Sequence, residues 1–93
     1  MKWTADAVGP GWKNIVQPLI DRCEKEKIFI TQIKEKFGEL RFYTGPASED
    51  FYKAVDEAGD LSSRTCENCG EEGQVISVNG WLRATCEKCL TQQ

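Results

Sequence analysis

Apolar residues recur at three- and four-residue spacing near the start of the chain, over residues 9–27. This spacing predicts an amphipathic helix with one buried face. A Gly-Pro-Gly turn precedes the pattern and Pro18 interrupts it, so the helix is expected to begin after the turn and to be kinked. The predicted stripe consists of Trp12, Ile15, Val16, Leu19, Ile20 and Cys23.

A run rich in β-branched and aromatic residues follows over residues 28–45. It predicts two antiparallel strands, 28–36 and 39–44, joined at Phe37 and Gly38. Gly38 adopts a left-handed conformation at little cost, whereas Phe37 does not, so we expect Gly38 to carry the turn.

The short connection determines which residues lie opposite each other in this first hairpin. On the face predicted to pack against the helix, the pairs are Thr31 with Thr44, Ile33 with Phe42 and Glu35 with Leu40. On the face predicted to meet water, the pairs are Gln32 with Tyr43, Lys34 with Arg41 and Lys36 with Glu39.

A second amphipathic helix is predicted after Ser48, which is a suitable N-cap. It is expected to end near Gly59 or to continue to about Ser63. Its predicted stripe consists of Phe51, Ala54, Val55, Ala58 and Leu61. In the last third of the chain, Asn79-Gly80 lies between two strand-like runs and predicts a second hairpin with a type I′ turn.

Two Cys-x-x-Cys pairs flank this second hairpin. Cys66, Cys69, Cys86 and Cys89 match the spacing of a four-cysteine zinc site, in which each pair presents two thiolates to one tetrahedral ion. Four sulfur ligands leave no open position, so the expected Zn²⁺ is structural. A redox site, disulfides and an iron–sulfur cluster are the alternative interpretations of the four cysteines.

These elements predict an α+β fold. Residues 1–64 form a helix–β-hairpin–helix core, and residues 65–93 form a four-cysteine lobe of treble-clef or zinc-ribbon type that packs against the second helix. The lobe has few large apolar residues, so the metal is expected to supply its missing stability. The fifth cysteine, Cys23, is expected to be a small buried side chain.

Composition narrows the function classes. The chain has 93 residues, a formal net charge of -3 and no histidine. The usual histidine-based proton shuttles and nucleophile systems are therefore excluded, and we expect no enzymatic activity. Four thiolates with one Zn²⁺ would move the net charge to about -5. Such a chain repels bulk nucleic acid, although a local basic patch could still bind it.

The start of the chain lacks the apolar segment of a secretory signal, and no apolar run approaches the roughly 20 residues of a membrane helix. We therefore expect the chain in the cytosol, where thiols stay reduced.

The first hairpin carries a candidate binding face with basic and aromatic residues. Lys34, Lys36 and Arg41 lie there with Tyr43. This face suits an acidic protein partner or nucleic acid, and it also fits an ordinary solvated strand surface. Trp81, beside the second turn, either covers the metal lobe or is an exposed binding anchor.

The ordered segments GW, PLI, ITQIKEKFGELRFY, CENCG and GWLRATC resemble a largely uncharacterised family of short bacterial and phage or prophage proteins. The resemblance covers residues 11–89, nearly the whole chain. Members of the family often end the last pair in Cys-x-x-His, whereas this chain has Cys86 and Cys89, which keeps four ligands and favours an all-sulfur site.

The resemblance implies a context more than an activity. It suggests a zinc-stabilised binding protein in a bacterial host cell, acting on a host protein or complex. Inhibition of a host defence complex, of the anti-CRISPR or anti-restriction type, is the role that this context suggests. The alternative is a nucleic-acid-binding accessory or regulatory zinc protein that uses the basic face.

Overall fold

The structure, a computed structural model, describes residues 3–90 and has the predicted α+β fold. Two short 3₁₀ turns, Ala5–Ala7 and Pro10–Trp12, precede the first helix. The elements that follow are α1 (Lys13–Glu26), β1 (Ile30–Lys36), β2 (Glu39–Thr44), α2 (Glu49–Ser62), β3 (Gln74–Val78), β4 (Trp81–Thr85) and α3 (Glu87–Leu90). Residues 1–2 of the predicted core and 91–93 of the predicted lobe lie outside the described residues.

α1 buries the apolar stripe predicted from its spacing. Trp12, at its N-cap, and Val16 have no exposed surface, and Leu19, Ile20 and Cys23 are buried with them. These side chains share one core with α2 and with three residues of the first hairpin, Ile33, Leu40 and Phe42. In the described part of the chain, no helix is both long and apolar enough to cross a bilayer.

The first hairpin has the predicted register over most of its length. Ile33 lies opposite Phe42, and Lys34 lies opposite Arg41. The predicted pairing of Thr31 with Thr44 is wrong, because a register shift between Ile30 and Gln32 places Ile30 opposite Thr44. A bulge of this kind inserts one unpaired residue in the strand, which sequence alternation does not reveal.

The turn of the first hairpin differs from the expectation at Phe37. Both central residues have a positive φ, 55° at Phe37 and 79° at Gly38. A two-residue type I′ turn needs this conformation at both positions. The hairpin connection therefore places Phe37 in the left-handed region, at a steric cost that glycine or asparagine would avoid.

α2 begins as predicted, because the Ser48 hydroxyl accepts a hydrogen bond from the Phe51 N–H. The prediction that Leu61 belongs to the buried stripe is wrong, since this side chain is 47% exposed. Gly59 and Ser62 take the buried positions of the last turn instead.

Ser62 joins α2 to the first hairpin through two buried hydrogen bonds. Its hydroxyl accepts from the Leu40 N–H at 2.9 Å and donates to the Gly59 carbonyl at 2.6 Å. We expect Ser62→Ala to lower the free energy of unfolding by about 1–3 kcal/mol, because the buried Leu40 N–H loses its acceptor. Chemical denaturation measures this loss.

Ser63→Ala is the matched control, since the Ser63 hydroxyl makes an exposed bond to the Asp60 carbonyl. Its expected effect is within about 0.5 kcal/mol. Equal losses in the two variants would contradict the role given to Ser62.

The second hairpin forms as predicted, with Asn79 at φ 52° and Gly80 at φ 87° in its turn. Ala84 of β4 belongs to the main core. The first hairpin's turn contacts this second hairpin, because a Cβ on the buried Gly38 would lie 3.0 Å from the Val75 side chain and 3.2 Å from the Ala84 nitrogen. The sequence predicts that the lobe packs against α2. The contacts of Gly38 with Val75 and Ala84 join the lobe to the turn of the first hairpin.

Candidate metal centre

The first cysteine pair lies on a tight turn directly after α2. The Gly70 N–H donates to the Cys66 carbonyl at 2.9 Å, and the Cys66 N–H donates to the Glu71 carbonyl at 2.8 Å. Gly70 has a φ of 84°, a left-handed conformation in which glycine avoids the cost of a side chain. The turn therefore curls the chain so that Cys66 and Cys69 point towards the same space.

The second pair lies where β4 ends and α3 begins. Cys86 follows β4 directly, and Cys89 lies within α3. The Leu90 N–H donates to the Cys86 carbonyl at 3.0 Å, which closes the single helical turn. The second pair thus lies at the start of a short helix, and the lobe is compatible with the zinc-ribbon-like alternative of the prediction.

The second hairpin brings the two pairs together. The four Sγ atoms of Cys66, Cys69, Cys86 and Cys89 all lie within 4.8 Å of one another. The Cys69 and Cys86 Sγ atoms are 3.5 Å apart, well beyond the roughly 2.05 Å of a disulfide. Three of the four cysteines are buried and Cys69 is exposed. The predicted set of four therefore forms one cluster.

Hydrogen-bond donors from the lobe point at the sulfurs. The Asn68 side-chain amide donates to the Cys89 Sγ at 3.3 Å, and the Cys89 N–H donates to the Cys86 Sγ at 3.4 Å. Such donors stabilise thiolate charge and hold ligand atoms in position around a metal. Asn68 was not among the residues that the sequence singled out.

The thiols influence one another's ionisation. Burial acts to raise the pKa of Cys66, but backbone N–H donors, led by that of Cys69, outweigh it and lower the pKa to about 6. At Cys69 the Glu71 N–H acts to lower the pKa, but burial and the sulfurs of Cys86 and Cys89 outweigh it and raise the pKa to about 12. The Cys66 thiolate therefore forms readily while the Cys69 thiol resists ionisation, and a bound cation would relieve the repulsion among thiolates.

The cluster fits a single tetrahedral metal ion. Metal–sulfur bonds of about 2.3 Å in a tetrahedron separate the sulfurs by roughly 3.8 Å, and the observed limit of 4.8 Å lies close to this value. Four thiolates would fill every position, so the ion would have no site for water or substrate. The four cysteines can therefore hold a structural metal.

The N-terminal turn before α1 docks on the first cysteine pair, a contact that the sequence did not predict. The Gly11 N–H donates to the Glu67 carbonyl at 2.7 Å, and the Gly9 N–H donates to the Glu67 carboxylate at 3.0 Å. The Trp12 indole N–H donates to the Thr65 carbonyl at 2.9 Å. The Gly-Pro-Gly sequence was the available signal, because it lets two backbones approach closely.

The predicted binding residues divide between two surfaces. Lys34, Arg41 and Tyr43 lie on the outer face of the first hairpin, where Arg41 forms an ion pair with Glu39 at 3.3 Å. Lys36 and Trp81 instead line one groove between the tips of the two hairpins. The structure thus separates Trp81 from most of the predicted basic face.

The sequence did not single out the other side chains of this groove as binding residues, and three of them matter most for its chemistry. They are Phe37, Leu82 and Arg83, and the first two are 62% and 42% exposed. The sequence assigns Phe37 only to the turn, although an apolar residue at a turn position that favours glycine is a signal of a binding role. Cys23 is buried as predicted, and burial raises the pKa of its thiol.

Comparisons with protein-family models, with curated proteins and with solved structures found no match to this chain. The candidate function therefore depends on the residues themselves, and foremost on the four-cysteine cluster.

Proposed function

We propose that this chain is a small zinc-stabilised binding protein that acts by docking on a partner protein. The observation that carries the proposal is the closed cluster of four sulfurs. Because four protein ligands leave the ion no open position, the metal supports folding and does no chemistry. Exposed aromatic side chains at the hairpin tips, Phe37 and Trp81, then provide contact surface for a partner.

Zinc is the proposed metal because soft thiolate ligands in a four-sulfur set suit Zn²⁺. The proposed compartment is the bacterial cytosol, whose reducing conditions keep thiols available as ligands. The resemblance to phage and prophage proteins supports a bacterial host protein as the partner. It also supports inhibition of a host defence complex as the role, and this part rests on the resemblance alone.

Affinity capture from a bacterial lysate tests the proposed function. The immobilised chain is exposed to nuclease-treated and untreated lysate, and retained proteins are identified by mass spectrometry. We expect one defined protein or complex in both arms, and its loss when the bait carries Cys66→Ser. Recovery only in the untreated arm would contradict direct protein binding and would indicate a nucleic-acid bridge.

Nucleic-acid binding is the second candidate, favoured by one feature of the first hairpin. Lys34 and Arg41 lie directly opposite each other, and like charges in such a pair destabilise a sheet unless an anion lies nearby. Among the described residues, the buried Arg41 Nε also has no hydrogen-bond partner. A bound phosphate would offset the repulsion between Lys34 and Arg41 and would accept a hydrogen bond from the Arg41 Nε. Arg41 already forms an ion pair with Glu39.

The salt dependence of binding tests this second candidate. If Lys34 contacts a phosphate, Lys34→Glu should weaken binding to single-stranded oligonucleotides and reduce the slope of log affinity against log salt by about one. An unchanged slope, or no measurable binding by the wild-type chain, would exclude it.

A further inference from the structure

We propose that the groove between the two hairpin tips binds a short acidic peptide segment that inserts an apolar or aromatic side chain. The inference rests on the proposed function as a protein-binding chain, and it adds the site and the chemistry of the partner. Three features of the groove support it, namely its exposed aromatics, its strained turn and its charge.

The groove is held in shape by contacts between the two hairpins. Gly38 is buried against Val75 and Ala84, which fixes the first turn beside β3 and β4. Phe37 and Trp81, 62% and 75% exposed, project at this junction. The groove has a volume of about 540 Å³, which is within the range of ligand clefts.

Phe37 combines an unfavourable backbone conformation with a mostly exposed side chain. Its φ of 55° is unfavourable for a residue with a side chain, and its exposed ring gains little from burial. Glycine or asparagine would form the same turn at lower cost. Strain at an exposed position points to a functional use of the side chain. A partner that covers the ring would supply the missing burial.

The charge of the groove is locally opposite to that of the chain. Lys36 and Arg83 line it, and the Lys36 ammonium lies 5.5 Å from the centre of the Phe37 ring. Glu35 is the only acid among the described lining residues, and its carboxylate accepts the Gly38 N–H at 2.8 Å. Lys36 and Arg83 are both exposed, on a chain of net charge -3, although Arg83 also interacts with the Glu67 carboxylate. This arrangement complements an acidic segment.

The apolar lining favours a peptide over a nucleic acid. Phe37 and Trp81 could stack on a base, but Val78 and Leu82 add aliphatic side chains, which accept an apolar side chain and offer no face for base stacking. Two cations also suffice for one or two carboxylates, whereas a single strand needs a basic track along its backbone. The net charge of -3 on the whole chain also opposes binding of that backbone.

Titration calorimetry with synthetic peptides tests the proposal. The probe is a blocked peptide of about ten residues with a central Phe-Leu flanked by Asp and Glu. One control peptide replaces the acids with Lys, and another replaces Phe-Leu with Ser-Ser. We expect saturable binding of the acidic apolar peptide and at least about tenfold weaker binding of both controls.

Variants of the chain locate the binding. Trp81→Ala and Lys36→Glu should each weaken the acidic peptide at least about tenfold. Phe29→Ala is the matched control, because Phe29 is 75% exposed and does not line the groove. It should leave the affinity unchanged.

Phe37→Gly separates binding from stability. Because glycine removes the strain of the turn, this variant should raise Tm, and it should still weaken the acidic peptide at least about tenfold. A purely structural role for Phe37 would not produce this opposite pair of changes.

Four results would overturn the proposal. They are no binding of the acidic peptide, equal losses in Trp81→Ala and Phe29→Ala, tighter groove binding of a single-stranded oligothymidylate, and self-association through the groove in sedimentation analysis. A partner captured from lysate that is retained equally by wild type and Trp81→Ala would leave the proposed function standing and refute the groove as its site.

Discussion

Replacing Cys66 with serine is expected to abolish stoichiometric metal binding and to unfold the lobe that follows α2. Structural zinc sites contribute on the order of 10 kcal/mol, comparable to the whole net stability of a small domain. Cys66 has no exposed surface, so a serine hydroxyl at this position cannot form a hydrogen bond with solvent water. Heteronuclear NMR should show loss of dispersion over residues 65–90 and at the Gly9–Trp12 turn, with much of the helical circular dichroism retained.

Cys23→Ala is the matched control for this variant. Cys23 is buried on α1, apart from the four-cysteine cluster. Its replacement should leave the bound metal and the dispersion of residues 65–90 unchanged. Full metal content in Cys66→Ser would show that the cluster is not the metal site.

Gly11→Ala is expected to have the second-largest effect, although it adds only one methyl group. The new Cβ would lie 2.1 Å from the Cys66 carbonyl oxygen and 2.5 Å from the Gly70 nitrogen. Both are backbone atoms of the tight turn that carries the first cysteine pair, so the N-terminal turn must separate from it. We expect a loss of several kcal/mol, on the order of 3, because the Gly11–Glu67 and Trp12–Thr65 hydrogen bonds break together.

Denaturant unfolding measures this loss, and Gly45→Ala provides the control. A Cβ on Gly45 would meet its nearest atoms, in Phe29, at an ordinary 3.8 Å, so its expected effect is within about 0.5 kcal/mol. Gly11→Ala should also lower metal affinity, since it displaces the turn that carries Cys66. Similar stabilities for the two variants would refute the docking of the N-terminal turn.

The sequence predicted the elements of the fold well because each has a strong local signal. Asn79-Gly80 between strand-like runs determined the second turn, and the Ser48 cap determined the start of α2. Four cysteines at a metal-site spacing predicted the cluster, because that spacing is meaningful only when the pairs meet in space.

The errors in the prediction share a tertiary origin. Periodicity assigned Leu61 to the buried stripe, but Gly59 and Ser62 face the hairpin at that turn. Alternation paired Thr31 with Thr44, but a bulge placed Ile30 there. Neither result follows from a local pattern: Ser62 bonds to the Leu40 N–H of the first hairpin, and Ile30 packs against the main core.

The groove between the hairpins was not predictable for the same reason. Its lining comes from two segments about forty residues apart, which meet because Gly38 packs against β3 and β4. The sequence identified Lys36 and Trp81 as separate candidate binding residues and gave no indication that they line the same groove. The approach of Gly11 to Cys66 is likewise a contact between distant segments.

Native mass spectrometry of the purified chain, combined with NMR before and after chelation, tests the central claim most directly. The account predicts one zinc ion per chain. It also predicts that chelation removes the dispersion of residues 65–90 and that added Zn²⁺ restores it. A metal-free chain, reduced at all five cysteines, whose lobe is fully ordered would contradict the account.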